Sequence, residues 1–480
     1  MSRKPAAALS LLIAWLLAGA CQQQAAPAPP APLPQVAVTI NADQVEGHLA
    51  SELSTQLDSS LRPAKSRQAF ARLAPPSPRI HAGFDGEELL PGGRDRAHWN
   101  FAPLDGLVDL AYQSGSPPIL NVRYAPQWMW TCAIFQSPGQ LNATAFDDFG
   151  AYLASLVAYF NLGATTTPEG LKQNPFGTRH RIDSWEIWNE PDQSGETPCR
   201  DANGGPALTV PQYRRLWDSA ARQMLAVDPS LRLVGPATSG ANERAVAYIQ
   251  ALLAAPVRPA AVSVHAYAIG VNTATDLTIW RGDSSEPGLD GLVAGIAAVQ
   301  AAAGAIPVWV TELNVDSYYL KPDPRGRPGG ALGVSFGAEA FIQLARLGIP
   351  LVHQFAFDKA PQFGMVDRQG RPYPAYWRDA TLRASLVPGS ERLVATSGTP
   401  DVDVLAVRRS AGRVDVVIVN RAIDTAHDGS GRALAINLEG LPQHMRLTRL
   451  GTGRDQPRSS AWNGGQLRLA GYEVAVLTST

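Results

Sequence analysis

Two stretches of the chain place a carboxylate at the end of an apolar run: Trp185-Glu186-Ile187-Trp188-Asn189-Glu190-Pro191-Asp192 and Val308-Trp309-Val310-Thr311-Glu312-Leu313-Asn314. Glu190 and Glu312 are the residues whose type and placement could do chemistry. Two carboxylates facing one bond can divide the work of breaking it. One, ionised, attacks a carbon that is becoming cationic; the other, protonated, delivers its proton to the departing oxygen. Hydrolysis of a glycosidic bond needs this division, and where the anomeric configuration is retained the two carboxyls stand roughly 5–5.5 Å apart. Burial or a neighbouring charge raises the acid's pKa, while the nucleophile stays ionised. On this reading Glu190 is the acid/base and Glu312 the nucleophile.

Residues so far apart in sequence need a scaffold that returns strand after strand to one face. Apolar runs near 78–84, 119–125, 182–190, 231–236, 261–267, 306–313 and 351–357 read as strands. Helical patterns near 103–114, 145–160, 211–227, 241–254, 289–303 and 334–346 fill the gaps. Strand–helix alternation predicts a parallel α/β fold, a (β/α)8 TIM barrel over residues 35–385, in which these runs are strands 2 to 8. Glu190 then ends strand 4 and Glu312 ends strand 7, at the mouth where such barrels do chemistry. Strand 1 has two candidates, 36–41 and a stretch near 48–55; in the second case 36–41 joins the C-terminal domain. From about 386 to 480 the pattern turns to period two, with strands expected at 401–408, 413–420, 432–438, 444–450 and 466–478. That predicts a β-sandwich with a structural role. Two loops, Pro198 to Pro206 and Lys321 to Gly330, are expected to shape the rim of the cleft.

The N-terminus reads as an address. Arg3 and Lys4 precede an apolar run, Ala6 to Ala18, too short to span a bilayer comfortably. Leu16-Leu17-Ala18-Gly19-Ala20-Cys21 resembles a bacterial lipobox, which implies that residues 1–21 are a lipoprotein signal with Cys21 acylated. Residues 22–34, rich in Gln, Ala and Pro, then form a tether. The expected location is the bacterial cell envelope, as a membrane-anchored periplasmic lipoprotein or a secreted protein. Cys132 and Cys199 would follow strands 3 and 4 on one face, and an oxidising compartment favours a disulfide between them. The 41 basic and 42 acidic residues give a net charge of −1, so nothing favours nucleic acid or an anionic lipid surface. No His-Glu-x-x-His, Cys-x-x-Cys or Gly-x-Gly-x-x-Gly pattern occurs, and no metal or cofactor is expected.

Asn189-Glu190-Pro191 within its Trp-Glu-Ile-Trp-Asn-Glu-Pro-Asp context resembles the acid/base signature of glycoside hydrolase clan A. Thr311-Glu312-Leu313-Asn314 resembles that clan's strand-7 nucleophile. Family 39 is the closest in pattern, over about residues 75–360 and the sandwich beyond. It includes β-xylosidases, α-L-iduronidase and exopolysaccharide endoglycosidases. The resemblance implies that Asn189 bonds the sugar 2-hydroxyl and that His265 and Tyr267 line the site, one of them orienting the nucleophile. It also implies that Arg79 and His81 line the −1 subsite, with Arg79 keeping Glu312 ionised. Trp128, at the end of strand 3, is a candidate sugar platform. Clan members often carry a Trp on strand 8, where this chain has Phe355 and Phe357. Glu186 shares strand parity with Glu190 and is expected in a buried structural ion pair. The expected activity is that of a retaining O-glycosidase on polysaccharide or oligosaccharide. The alternatives are an exo-acting β-xylosidase-like enzyme and an inactive glycan-binding scaffold.

Overall fold

The computed structural model describes residues 32–57, 64–82, 89–93, 96–123, 125–129, 145–193, 208–271, 273–318, 323–358, 362–410, 412–451 and 456–479. Cys21, Cys132 and Cys199 lie outside the described residues, and with them the expected acylation and disulfide. Among the described residues no helix is long and apolar enough to cross a membrane.

The chain opens with β1 (Gln35–His48) and continues through β2 (Glu52–Leu57), β3 (Arg79–Ala82) and β4 (Ile119–Val122). A separate hairpin, β5 (Ala164–Thr167) with β6 (Gly170–Gln173), comes next. Then follow β7 (Ser184–Ile187), β8 (Arg232–Thr238), β9 (Ala261–Ile269), β10 (Val308–Asp316) and β11 (Leu351–Gln354). The strands β2, β3, β4, β7, β8, β9, β10 and β11 pair in that order, and β11 pairs back onto β2, closing a barrel. Every pairing in it is parallel. The expected helices are present at Ala102–Gln113, Ala145–Asn161, Val210–Val227, Glu243–Leu253, Gly288–Ala303 and Ala331–Arg346.

Barrel strand 1 is β2, the second of the two sequence candidates. Its alternation explains the weak apolar signal. Leu53 and Leu57 face the surrounding helices, while Gln56 reaches polar partners inside the barrel. The barrel therefore begins at Glu52 rather than at residue 35.

The second sheet adds β12 (Glu391–Ser397), β13 (Val402–Arg408), β14 (Val414–Asn420), β15 (Leu434–Glu439) and β16 (Met445–Leu450). It is completed by β17 (Arg458–Trp462), β18 (Leu467–Leu469) and β19 (Val474–Ser479). β1 lies between β12, to which it is antiparallel, and β15, to which it is parallel. The resulting nine-stranded sheet curls on itself. Val38, Val404, Ile418, Ile436, Leu447 and Leu477 meet in one core, the inside of a sandwich. The central strands bury their other face too: Leu405, Val407, Val417, Val419 and Val476 join the core around the barrel helix Ala331–Arg346. Such two-sided burial is why β13 and β14 read as nearly continuous apolar runs.

At one end of this seam the sandwich grips the loops that follow β9 and β10. Buried Asp276, after β9, accepts from Arg327 Nη1 at 2.9 Å, from Gly429 N at 2.6 Å and from the Tyr472 hydroxyl at 2.6 Å. Arg327, after β10, also donates to Asp323 Oδ2 at 2.5 Å and to the Ala274 carbonyl at 2.6 Å. Of the two loops expected to shape the rim, Pro198 to Pro206 lies outside the described residues, and the described part of the other, 323–330, is pinned to the C-terminal domain.

Candidate active site

The apolar run of β7 stops at Ile187 for a backbone reason. Trp188 and Glu190 have φ of 75° and 45°, in the left-handed region that L-residues with side chains seldom occupy. Two flanking strands hold them there: Trp188 N donates to the Val122 carbonyl at 3.0 Å and Glu190 N to the Ala237 carbonyl at 2.8 Å. The Asn121 amide braces the turn from below, donating to the Trp188 carbonyl at 2.7 Å and to Glu186 Oε2 at 3.0 Å. Strain of this kind persists where surrounding structure over-determines it, commonly at functional sites.

Arg79, on β3, is the hub beneath the strand ends. It has no exposed surface. Its Nε donates to Glu186 Oε2 at 2.6 Å, its Nη1 to Glu312 Oε1 at 2.7 Å and to Gln56 Oε1, and its Nη2 to Asn189 Oδ1 at 2.8 Å. Any influence of Arg79 on a sugar therefore runs through Glu312 and Asn189. The bond to Asn189 Oδ1 fixes that amide and leaves its NH2 group for another acceptor. Glu186 is in a fully buried ion pair, as the sequence suggested. Gln56 Nε2 lies 2.8 Å from His81 Nδ1. Since Gln56 Oε1 is already accepting, its amide donates, so His81 Nδ1 accepts and its ring carries the proton on Nε2. The 3.7 Å separation of His81 Nδ1 from Glu312 Oε1 is then proximity rather than a hydrogen bond.

Glu190, His265 and Glu312 bring their carboxylate oxygens and ring nitrogen within 4.8 Å of one another. His265 Nδ1 is 2.7 Å from Glu190 Oε1 and 3.6 Å from Glu312 Oε2. A proton sits in the shorter contact: the ring gives it to an ionised Glu190 or takes it from a protonated one. Tyr267 donates its hydroxyl to Glu312 Oε2 at 2.6 Å. Burial pushes the Glu312 carboxyl up, but His265, Arg79 and the Tyr267 hydrogen bond outweigh it and hold it below its ordinary value. His265 goes the other way: burial lowers it, yet the charge of Glu312 and the bond to Glu190 lift it above an ordinary histidine. The three-donor grouping has atoms suited to a cation. The guanidinium 2.7 Å from Glu312 already supplies a countercharge, and His265 Nδ1 is already in contact with Glu190 at 2.7 Å.

The structure thus joins Glu190, Glu312, Asn189, His265, Tyr267, Arg79 and His81 in one bonded cluster. Trp128 is used differently. Its indole N–H bonds the Gly92 carbonyl at 3.0 Å and the Arg96 guanidinium stands 5.0 Å over its ring, which is packing of a loop. On strand 8, Phe355 meets Tyr267 edge-on at 6.1 Å and so borders the cluster, while Phe357 packs on Phe70 at 5.2 Å in the outer core. Sequence reasoning passed over Gln56 and Asn121. The signal was there for Asn121, an amide at an inward position of the apolar run Ile119–Val122.

No family model matches the chain, and no curated protein matches it. Solved structures do. The fold is similar to that of a GH39 β-xylosidase from Caulobacter crescentus (18% identity, 92% of this chain, 99% of that one, TM-score 0.63). It is similar too to a GH39 enzyme from Xanthomonas axonopodis pv. citri (16% identity, 92% and 96%, TM-score 0.63). A GH30 endoxylanase from Clostridium papyrosolvens C71 shares it as well (13% identity, 92% and 99%, TM-score 0.57). The architecture, barrel and sandwich together, is that of these glycoside hydrolases.

Proposed function

We propose that the protein is a retaining glycoside hydrolase of clan A, most like family 39, acting by double displacement. The observation that carries this is the close facing of Glu190 and Glu312 with His265 between them, a spacing on the retaining side of the two glycosidase geometries. Glu312, held ionised by Arg79 and Tyr267, attacks the anomeric carbon. The bond to the leaving oxygen breaks as Glu190 passes it a proton. Glu190, now a base, takes a proton from water; the water oxygen bonds the anomeric carbon and Glu312 departs as carboxylate. Asn189, its amide locked by Arg79, offers NH2 to the sugar beside the reacting carbon.

The substrate we propose is a cell-envelope polysaccharide or exopolysaccharide, with the protein held at the envelope by acyl chains on Cys21 and its rim loops tied by a Cys132–Cys199 disulfide. The leader and Cys21 support the location. A β-xylosidase among the similar structures favours a second reading, exo-action on β-xylosides. Aryl glycosides and envelope polysaccharides, followed by proton NMR of the first-formed anomer, decide. Turnover with retained configuration is expected; inversion, or no turnover on any of them, overturns the proposal. Cys21→Ser should release the protein to the soluble fraction with activity intact, and tight membrane retention would remove the acyl anchor.

A further inference from the structure

Arg79 carries one charge and faces two carboxylates, Glu186 through Nε and Glu312 through Nη1. All three are buried, where a charge is screened little by solvent. Glu186 accepts on Oε2 only, from Arg79 and Asn121, while its buried Oε1 has no hydrogen-bond partner among the described residues. An oxygen left so costs stability, and a pair that existed for stability alone would do better as apolar packing. What Glu186 does have is a direct bond to the guanidinium that holds both Glu312 and Asn189.

We infer that Glu186 is a positioning residue that acts through Arg79 to set the ionisation of Glu312 and the orientation of Asn189. It draws off part of the guanidinium's field, so that Glu312 stays ionised yet basic enough to attack. The other groups facing Glu312 are His81 from β3, His265 and Tyr267 from β9, and Glu190 beyond β7. Gln56 offers the opposite handle: its Oε1 accepts from the same Nη1 that holds Glu312. The inference rests on the assignment of Glu312 as nucleophile.

The sign of the effect makes the test. Glu186→Gln keeps shape but removes an anion, giving Glu312 the whole guanidinium charge, so its pKa falls. Gln56→Glu adds an anion, and the pKa of Glu312 rises. The acid limb of kcat/KM on an activated aryl glycoside should move down by about one pH unit in the first variant and up by about one in the second. The double variant, with charge restored, should return near the parent. A carboxyl carbon-13 titration of Glu312, assigned by its loss in Glu312→Gln, reads the same shifts without turnover. Limbs and titrations unmoved in folded variants, or moved in the same direction, overturn the inference. Should Glu186→Gln not fold, Gln56→Glu decides alone: an upward shift supports the inference, and none, or a downward one, sinks it. Carbon-13 shifts of the expected sign in a protein that turns over no glycoside would keep the control of Glu312 ionisation through Arg79 and remove its role as nucleophile together with the hydrolase reading.

Discussion

Two buried arginines organise this molecule, and they are used in opposite ways. Arg79 in the barrel and Arg327 at the seam each grip two carboxylates, Glu186 with Glu312 and Asp323 with Asp276. Around Arg327 every guanidinium nitrogen and both oxygens of Asp276 and Asp323 have a partner. Asp276 accepts three, and Arg327 spends its Nη2 on a backbone carbonyl. Around Arg79 the bonding is incomplete. Glu186 Oε1, Asn121 Oδ1 and His265 Nε2 lack partners among the described residues, and the backbone above is left-handed at Trp188 and Glu190. A buried charge network that satisfies itself is a clamp. One that leaves polar atoms unmet, and a carboxylate poised at its edge, keeps interaction capacity for something not yet bound.

The contrast can be broken by experiment, most forcefully at Glu312. Glu312→Ala should lower turnover by roughly 10^4-fold or more while melting stays close to the parent, because Arg79 keeps Glu186. Azide should restore turnover with an inverted product; rescue of a Glu190 variant only, with retention, would exchange the two roles. Arg327→Ala should do the reverse. It strips the partner from two buried carboxylates, a loss of about 3–5 kcal/mol, seen as a large fall in melting temperature. The folded fraction should keep the parent's pH profile, and a shifted profile would mean that the seam belongs to the site.

Two tyrosines form a matched pair, each donating a hydroxyl to a carboxylate at 2.6 Å. Tyr267→Phe removes a bond that favours ionised Glu312. The depressed pKa of that group then rises, and the acid limb of kcat/KM moves to higher pH. Such a carboxylate contributes stability that is present above its ordinary pKa and lost as pH falls through the depressed one, so the variant should also lose less on acidification. Tyr472→Phe should cost about 1–2 kcal/mol of stability, checked by urea unfolding, and leave the limb in place. A limb shift in the Tyr472 variant but not in the Tyr267 variant would reverse the distinction drawn here.

The cluster around Arg79 was largely legible because it sits at strand ends, where an acid or a His-x-Tyr interrupts an apolar run and marks one face. The seam was not. Asp276 and Tyr472 are 196 residues apart, one opening a short helix, Asp276–Arg281, and the other in a turn, and neither lies in a motif that names a partner. Strand 1 was obscured because Gln56 spends a core position on Arg79. Strand β12 was missed since its side chains are half-exposed. The run expected at 466–478 proved to be two strands, β18 and β19, divided at Gly471 and Tyr472.

The pairing of β1 carries a consequence for how the chain is made. Thr39 and its partner Glu439 are 400 residues apart, so β1 waits for a neighbour made much later. At about 5–20 residues per second that wait is roughly 20–80 s. Until β12 is made, Val36, Val38 and Ile40 belong to a strand with nothing to pair. Residues 52 onward can close a barrel in the meantime, yet the helix Ala331–Arg346 still lacks the strands that cover it. Completion of the sheet thus comes after the barrel strands are made, and it ties the two ends of the described chain together. A nascent chain cut short before β12 carries a β1 with neither of its partners, an invitation to pair with another copy.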